Sequence, residues 1–408
     1  MFAGSFVRML LAMKMTFRVL VLALAFSTSI QGAEMTAASR ASNDFAFSLM
    51  DRVGAGEENF AFSPFSIWSA LAMTSAGSEK ETLTQMLKVL GLPEGEAGHA
   101  LAGGWSRSLR DSVSVEIRIA NRLWGSQALP FEASFLKLSE KHYAAGLEAL
   151  DFAGQSGAAL RRINGWIEEQ TKGHIKDLLD ANNITADTKL VLTNAVYFKA
   201  KWQRQFKAHA TAPRTFTNAS GKESRSMTMH GILAVPYMED KELQAVRLPY
   251  LGNTCSMIVV LPRKVDALVK STPIDASRFT SLVASLKPEA AVNIQLPRFE
   301  VSSRKGLAKP LASAGMPRAF TQEAEFGKMC RMPLLISDVI HQAWVKVAEA
   351  GTDAAAATAV VMAPTGMPMQ PAEPRNFIAD HPFLFFIVDN ASDGILFAGK
   401  VMSPEVAR

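Results

Sequence analysis

Between Glu349 and Ala359 the sequence carries Gly351, Thr352, Asp353, the run Ala354 to Ala357 and Thr358, and Pro364, Pro368 and Pro371 punctuate the residues beyond. Side chains this small cannot build a core of their own. Alanine is the best helix former, so an Ala-rich helix joined to a Pro-rich linker is one way to fold the stretch. The other is a strand. Alternation would then point Thr352, Ala354, Ala356 and Thr358 one way and Asp353 the other, and a row of small side chains can slide between two existing strands. Composition alone leaves both open.

The surrounding chain has 408 residues, 48% of them hydrophobic and 20% charged, which is the balance of a globular protein with a large core. No Pro/Gly/Ser tract, charge block or internal repeat divides the middle, so residues 34–408 are expected to form a single domain. The net charge of +5 is dispersed, without the basic runs or aromatic interleaving of a nucleic-acid groove. At the amino end Arg8, Lys14 and Arg18 precede the apolar stretch Val19 to Phe26, and small residues come after it as far as Ala33. That order predicts a signal peptide over residues 1–33, and the stretch falls short of the ~20 residues a spanning helix needs. The expected location is therefore outside the cytoplasm, extracellular or periplasmic, with no membrane anchor. Cys255 and Cys330 are the two cysteines, and both are expected as buried free thiols. No zinc-ligand spacing occurs, and no metal or cofactor is expected.

Ser63 and Pro64 predict a helix start within a helical region running from Ala41 to Leu92. A strand is expected at Val113 to Ala120, and Ile163 to Trp166 leads into a helix expected to reach about Leu179. Strand-length apolar runs then occur at Leu190 to Lys199, Leu243 to Leu248, Met257 to Leu261, Val292 to Phe299, Ala343 to Val347, Phe383 to Val388 and Ile395 to Val401. A helical first half and a strand-rich second half predict an α+β fold.

Enzyme motifs are missing. There is no G-x-S-x-G elbow, the nearest text being Gly154 to Gly157, and no H-E-x-x-H, Walker loop or G-x-G-x-x-G. The seven histidines are scattered, and pairs such as Glu168 and Glu169 read as a solvated helix face. The chain is therefore not expected to be an enzyme.

The segment that begins at Glu349 resembles the hinge of inhibitory serpins. Glu349, Gly351, Thr352, Asp353, Ala354, Ala355, Ala356, Ala357 and Thr358 supply its order of residue types, with Asp353 standing for the commoner Glu. Further text similar to that family stands at Phe62 to Ile67, Leu192 to Trp202, Leu296 to Phe299, Asp380 to Phe385 and Ile395 to Lys400, in the family's order. The resemblance implies three β-sheets, about eight or nine helices and an exposed reactive loop at about 349–376.

It also implies a mechanism. A proteinase cleaves the loop, and the cut strand inserts into a gapped central sheet, carrying the acylated enzyme with it. About 15 inserted residues at ~3.3 Å each span ~50 Å, and two new ladders with buried apolar area release tens of kcal/mol gross. By the same resemblance Ser63, Asn194 and His341 form a polar shutter beneath the opening strands, and Trp202 marks the breach where the loop first enters. Counting from Gly351 puts the scissile bond at Thr365-Gly366, with Met362-Ala363 and Gly366-Met367 as alternatives. No Lys or Arg occurs from Val347 to Pro374, so a proteinase pocket with an acidic floor finds nothing to bind. The expected target is an elastase-like or subtilisin-like serine proteinase, with a cysteine proteinase as second candidate. A monomer is expected, with loop-sheet polymerisation open to it. The rival is a non-inhibitory serpin acting as carrier, chaperone or storage protein.

Overall fold

The computed structural model describes residues 37–54, 56–110, 115–143, 146–270, 274–353 and 373–404. In chain order its helices are α1 (37–53), α2 (Pro64–Ser75), α3 (Lys80–Leu90), α4 (Glu96–Arg110), α5 (Ala133–Tyr143), α6 (Phe152–Gln170), α7 (Ala267–Lys270), α8 (Ala276–Ser285) and α9 (Ala308–Ser313). Its strands are β1 (Phe60–Phe62), β2 (Glu116–Ser126), β3 (Leu147–Leu150), β4 (Leu190–Lys201), β5 (Ala212–Thr217), β6 (Glu223–Glu239), β7 (Leu243–Pro249) and β8 (Cys255–Pro262). They continue with β9 (Lys287–Pro297), β10 (Phe299–Gly306), β11 (Asp338–Ala348), β12 (Gly351–Thr352), β13 (Arg375–Ile378), β14 (Phe383–Asp389) and β15 (Ile395–Val401).

This is the α+β fold that the order of patterns predicts. Ser63 caps α2, its hydroxyl accepting from the Ser66 N–H, and Pro64 fills the first turn where its missing donor costs nothing. Every residue of α2 is buried, so this helix is the one the rest of the fold surrounds. β8, β14 and β15 are buried along their whole length, as their apolar runs Met257 to Leu261, Phe383 to Val388 and Ile395 to Ala398 suit strands covered on both faces, and the buried Ser256 and Lys400 donate to Asn390 Oδ1 and to the Gly56 carbonyl.

The strands form two hydrogen-bonded units. One has six strands in the order β10-β11-β12-β4-β2-β3. The other runs β1-β15-β14-β8-β7-β6-β9-β13, with β5 on β6. The long β6 joins what would otherwise be two sheets, since its first residues pair with β5 and β9 and its last with β7, across a bulge between Leu233 and Val235.

Several boundaries differ from the sequence expectation for local reasons. α6 starts at Phe152 rather than Ile163, because Gly154, Gly157 and Gly165 dilute the helical signal, whereas Ala159, Ile163 and Ile167 still repeat every fourth residue on its buried face. It ends at Gln170, not near Leu179: Lys172 and Gly173 take left-handed φ values of 54° and 79°. The strand expected at Val113 to Ala120 is β2, displaced to Glu116–Ser126. The run Val292 to Phe299 divides at Arg298 between β9 and β10, which belong to different units.

Candidate functional site

The six-stranded sheet is open at one end. β4 and β11 pair in parallel from Val191 opposite Asp338 to Tyr197 opposite Trp344. Beyond that point they are separated by β12, which lies antiparallel to both: Thr352 pairs with Val347 on one side and Ala200 on the other, and Gly351 with Ala348 and Lys201. Gly351 has φ 148°, and a Cβ there would stand 2.1 Å from the Ala200 carbonyl oxygen, so only glycine fits. Thr352 is fully buried, and its Oγ1 lies 2.7 Å from the hydroxyl of the equally buried Tyr250.

Asp353 follows β12 and leaves the strand conformation, its side chain turned toward Tyr197 rather than Tyr250. Its φ is 46°, and its carboxylate accepts from the Tyr197 hydroxyl, with Lys199 Nζ at 3.7 Å and His174 Nε2 at 3.8 Å. Burial, then the Asp353 carboxylate, pushes the Tyr197 hydroxyl well above its usual range, so it stays a donor. His174 stacks on Tyr197 at 4.2 Å and lies 4.8 Å from Trp344.

Trp202 holds the chain that leads into β12. Its Nε1–H donates to the Ala348 carbonyl at 2.9 Å, its backbone N–H to Ala350 at 3.0 Å, and its ring stacks on Tyr250 at 4.6 Å. Glu349 is fixed from both ends. Its carbonyl accepts from the Phe206 N–H, and its carboxylate accepts from Arg298 and from Thr211 Oγ1. Burial alone would raise this carboxyl, but those two hydrogen-bonded partners hold it below the usual carboxylate range.

Below the opening, where β4 and β11 touch, Ser63, Asn194 and His341 meet in one buried network. The Ser63 N–H donates to His341 Nε2 at 3.1 Å, so Nδ1 carries the proton and donates to Asn194 Oδ1. Ser63 Oγ donates to the Leu396 carbonyl at 2.6 Å, and Asn194 Nδ2 donates to Ser66 Oγ at 2.7 Å and to Asn121 Oδ1. Burial pushes the His341 pKa down to about 3, which keeps the ring neutral. The network bridges α2, β2, β4, β11 and β15, so these elements cannot slide without breaking it.

Sequence reasoning named Ser63, Asn194, His341, Trp202, Glu349, Gly351, Thr352 and Asp353, and the fold brings them into these two clusters. It missed Asn121, Ser66, Tyr250, Arg298, Tyr197 and His174. Ser66, Arg298 and Tyr197 lie within family-like text, whereas Asn121, Tyr250 and His174 have no local signal and are supplied by packing. Ala354, Ala355, Ala356, Ala357 and Thr358, the residues expected at the reactive bond, Met362, Ala363, Thr365, Gly366 and Met367, and the expected leader 1–33 lie outside the described residues. Cys255 and Cys330 are both free and buried, and burial raises the Cys255 thiol to about 12. Among the described residues no helix is long and apolar enough to cross a membrane.

Residues 40–404 match the family described as Serpin (serine protease inhibitor). The chain belongs to the serpin family. A serpin-like protein of Thermococcus kodakarensis is 37% identical over 368 residues, covering 89% of this chain and 85% of the relative. Uncleaved ovalbumin superposes with a TM-score of 0.81 at 26% identity, covering 90% of this chain and 100% of that one. Human thyroxine-binding globulin, in complex with thyroxine, gives 0.81 at 25%, covering 91% and 99%. Serpins in general target proteinases as inhibitors rather than as catalysts, although the fold is also that of a thyroxine-binding globulin.

Proposed function

We propose that this serpin is exported and inhibitory, a suicide substrate for an elastase-like or subtilisin-like serine proteinase. The leader 1–33 is removed, and residues 34–408 act as a single monomeric domain. The proteinase cuts at Thr365-Gly366 in the loop at about 349–376, and the new strand from Gly351 onward runs between β4 and β11.

The observation that carries this reading is β12. Two residues of the loop's first segment already lie antiparallel between β4 and β11, with Thr352 buried as an inserted side chain must be. Lengthening β12 replaces the single parallel contact of β4 with β11 by two antiparallel ladders, and parallel pairing is the slightly weaker per residue. Gly351 supplies the hinge, Trp202 and Glu349 fix where insertion begins, and the Ser63, Asn194 and His341 network closes the sheet beneath. The small residues Ala354 to Ala357 and Thr358 support continued insertion, because none is larger than the Thr352 already accommodated.

A carrier role is the second reading, favoured by the likeness to thyroxine-binding globulin. Cleavage separates the two. If the loop inserts, cutting between Met362 and Met367 raises the melting temperature. A cut protein that melts where the intact one does, or below it, would leave the carrier reading standing.

A further inference from the structure

Between the turn after β4 and the bulged middle of β6 lies a cavity of about 190 Å3. It is somewhat larger than the ~150 Å3 apolar cavity that admits benzene in an engineered protein. Trp202, Phe206, Val235 and Leu248 line it from buried positions, while Gln203, Arg204 and Ala234 line it from exposed ones, so it opens to solvent on the Arg204 side.

The charge at this opening is uncompensated. Among the described residues the Arg204 side chain makes no ion pair or hydrogen bond, and neither do the exposed side chains of Lys201 and Lys207 on the same segment. Glu349, whose carbonyl is bonded to Phe206, has its carboxylate engaged by Arg298 and Thr211 and does not serve them.

We propose that this cavity is a binding site for a small aromatic carboxylate, its ring against Trp202, Phe206 and Leu248 and its carboxylate on Arg204. The hollow is the size of one substituted ring; Trp202, Phe206, Val235 and Leu248 supply its apolar wall, while polar groups make up the larger part of its accessible lining. A guanidinium at the rim is the group best shaped to take a carboxylate in two parallel hydrogen bonds. An anion there meets the unpaired Arg204 guanidinium, whereas a cationic ligand would meet the same charge as repulsion. The walls are also the supports of the loop: the Trp202 and Phe206 N–H groups donate to Ala350 and Glu349. A ligand in this cavity therefore rests on two residues whose backbone N–H groups hold the turn from which the loop departs.

Calorimetric titration of the full chain with phenylacetate and with its uncharged amide, phenylacetamide, tests the site without reference to proteinase inhibition. Phenylacetate binds at one site per chain and at least about tenfold more tightly than the amide, the difference expected of one charge-assisted pair. Arg204→Gln lowers the acid to the level of the amide. Ala234→Phe, at an exposed position on the rim, blocks both while leaving the melting temperature unchanged. Equal binding of acid and amide, an Arg204→Gln variant that binds as wild type does, or no saturation by about 10 mM overturns the proposal.

Discussion

Replacing Thr352 with arginine puts a cation where the side chain has no solvent contact. Its strand neighbours there are Val347 and Ala200, and the carboxylate of Glu349 is committed to Arg298 and Thr211. An unpaired buried charge costs several kcal/mol even after relaxation. Leaving the sheet costs less. It forfeits the short β12 ladders and the Thr352–Tyr250 hydrogen bond, a few bonds at ~0.5 to 1.5 kcal/mol each, and exposes Tyr250 to a partner from water. The variant should therefore fold with β12 expelled and with stability lowered by roughly 2 to 4 kcal/mol. Urea unfolding reads that loss. Incubation with an elastase-like proteinase reads the function: the loop is still cut, but the cleaved protein accumulates free instead of as a covalent complex. Thr352→Ser, which keeps the hydroxyl and the size class, stays close to wild type in both assays. A Thr352→Arg protein that traps proteinase at the wild-type ratio would refute the assignment of Gly351–Thr352 as the insertion point.

Acid should destabilise the protein early. Burial lowers the pKa of His341 to about 3 and that of His99 to about 4, so the folded state keeps both neutral while the unfolded chain takes up protons below its ordinary value of 6.5. Their contribution to stability is complete above that value and is lost progressively as pH falls toward these folded-state values. Urea midpoints measured from about pH 7 to about 4 should decline, less steeply in His341→Gln, and a flat series would contradict the assignment of a neutral His341. Thr365→Arg changes only the bait and should turn the preference from elastase-like to trypsin-like proteinases. If association rates stay unchanged for Thr365→Arg while Met362→Arg or Met367→Arg recruits trypsin, the bond lies elsewhere in the loop.

What could be read from the sequence depended on where each structural signal is stored. β15 and β14 were readable almost to the residue because the apolar runs Ile395 to Ala398 and Phe383 to Val388 leave them no other place than the interior. β2 and β6 were not, because Arg118, Asn121 and Arg122 in the one, and Ser224, Arg225 and Ser226 in the other, interrupt the apolar alternation of strands with one polar face. The hinge was legible through its likeness to the family's text, since composition alone left a helix and a strand open; the structure adds that Gly351 sits where no Cβ fits. Its anchors were not. Tyr250 reaches Thr352, and Asn121 reaches Asn194, across distances in sequence that only the sheet closes.

Trapping by loop insertion can be seen on a gel. The full chain should be incubated with a small panel of elastase-like, subtilisin-like and trypsin-like serine proteinases and one cysteine proteinase, then boiled in SDS. A stable higher-mass band is expected with at least one elastase-like or subtilisin-like enzyme and none with the trypsin-like enzyme, together with a released peptide whose mass begins it at Gly366. Cleavage within the loop by the elastase-like or subtilisin-like enzymes without any SDS-stable band would mean that the protein is a substrate and not a trap.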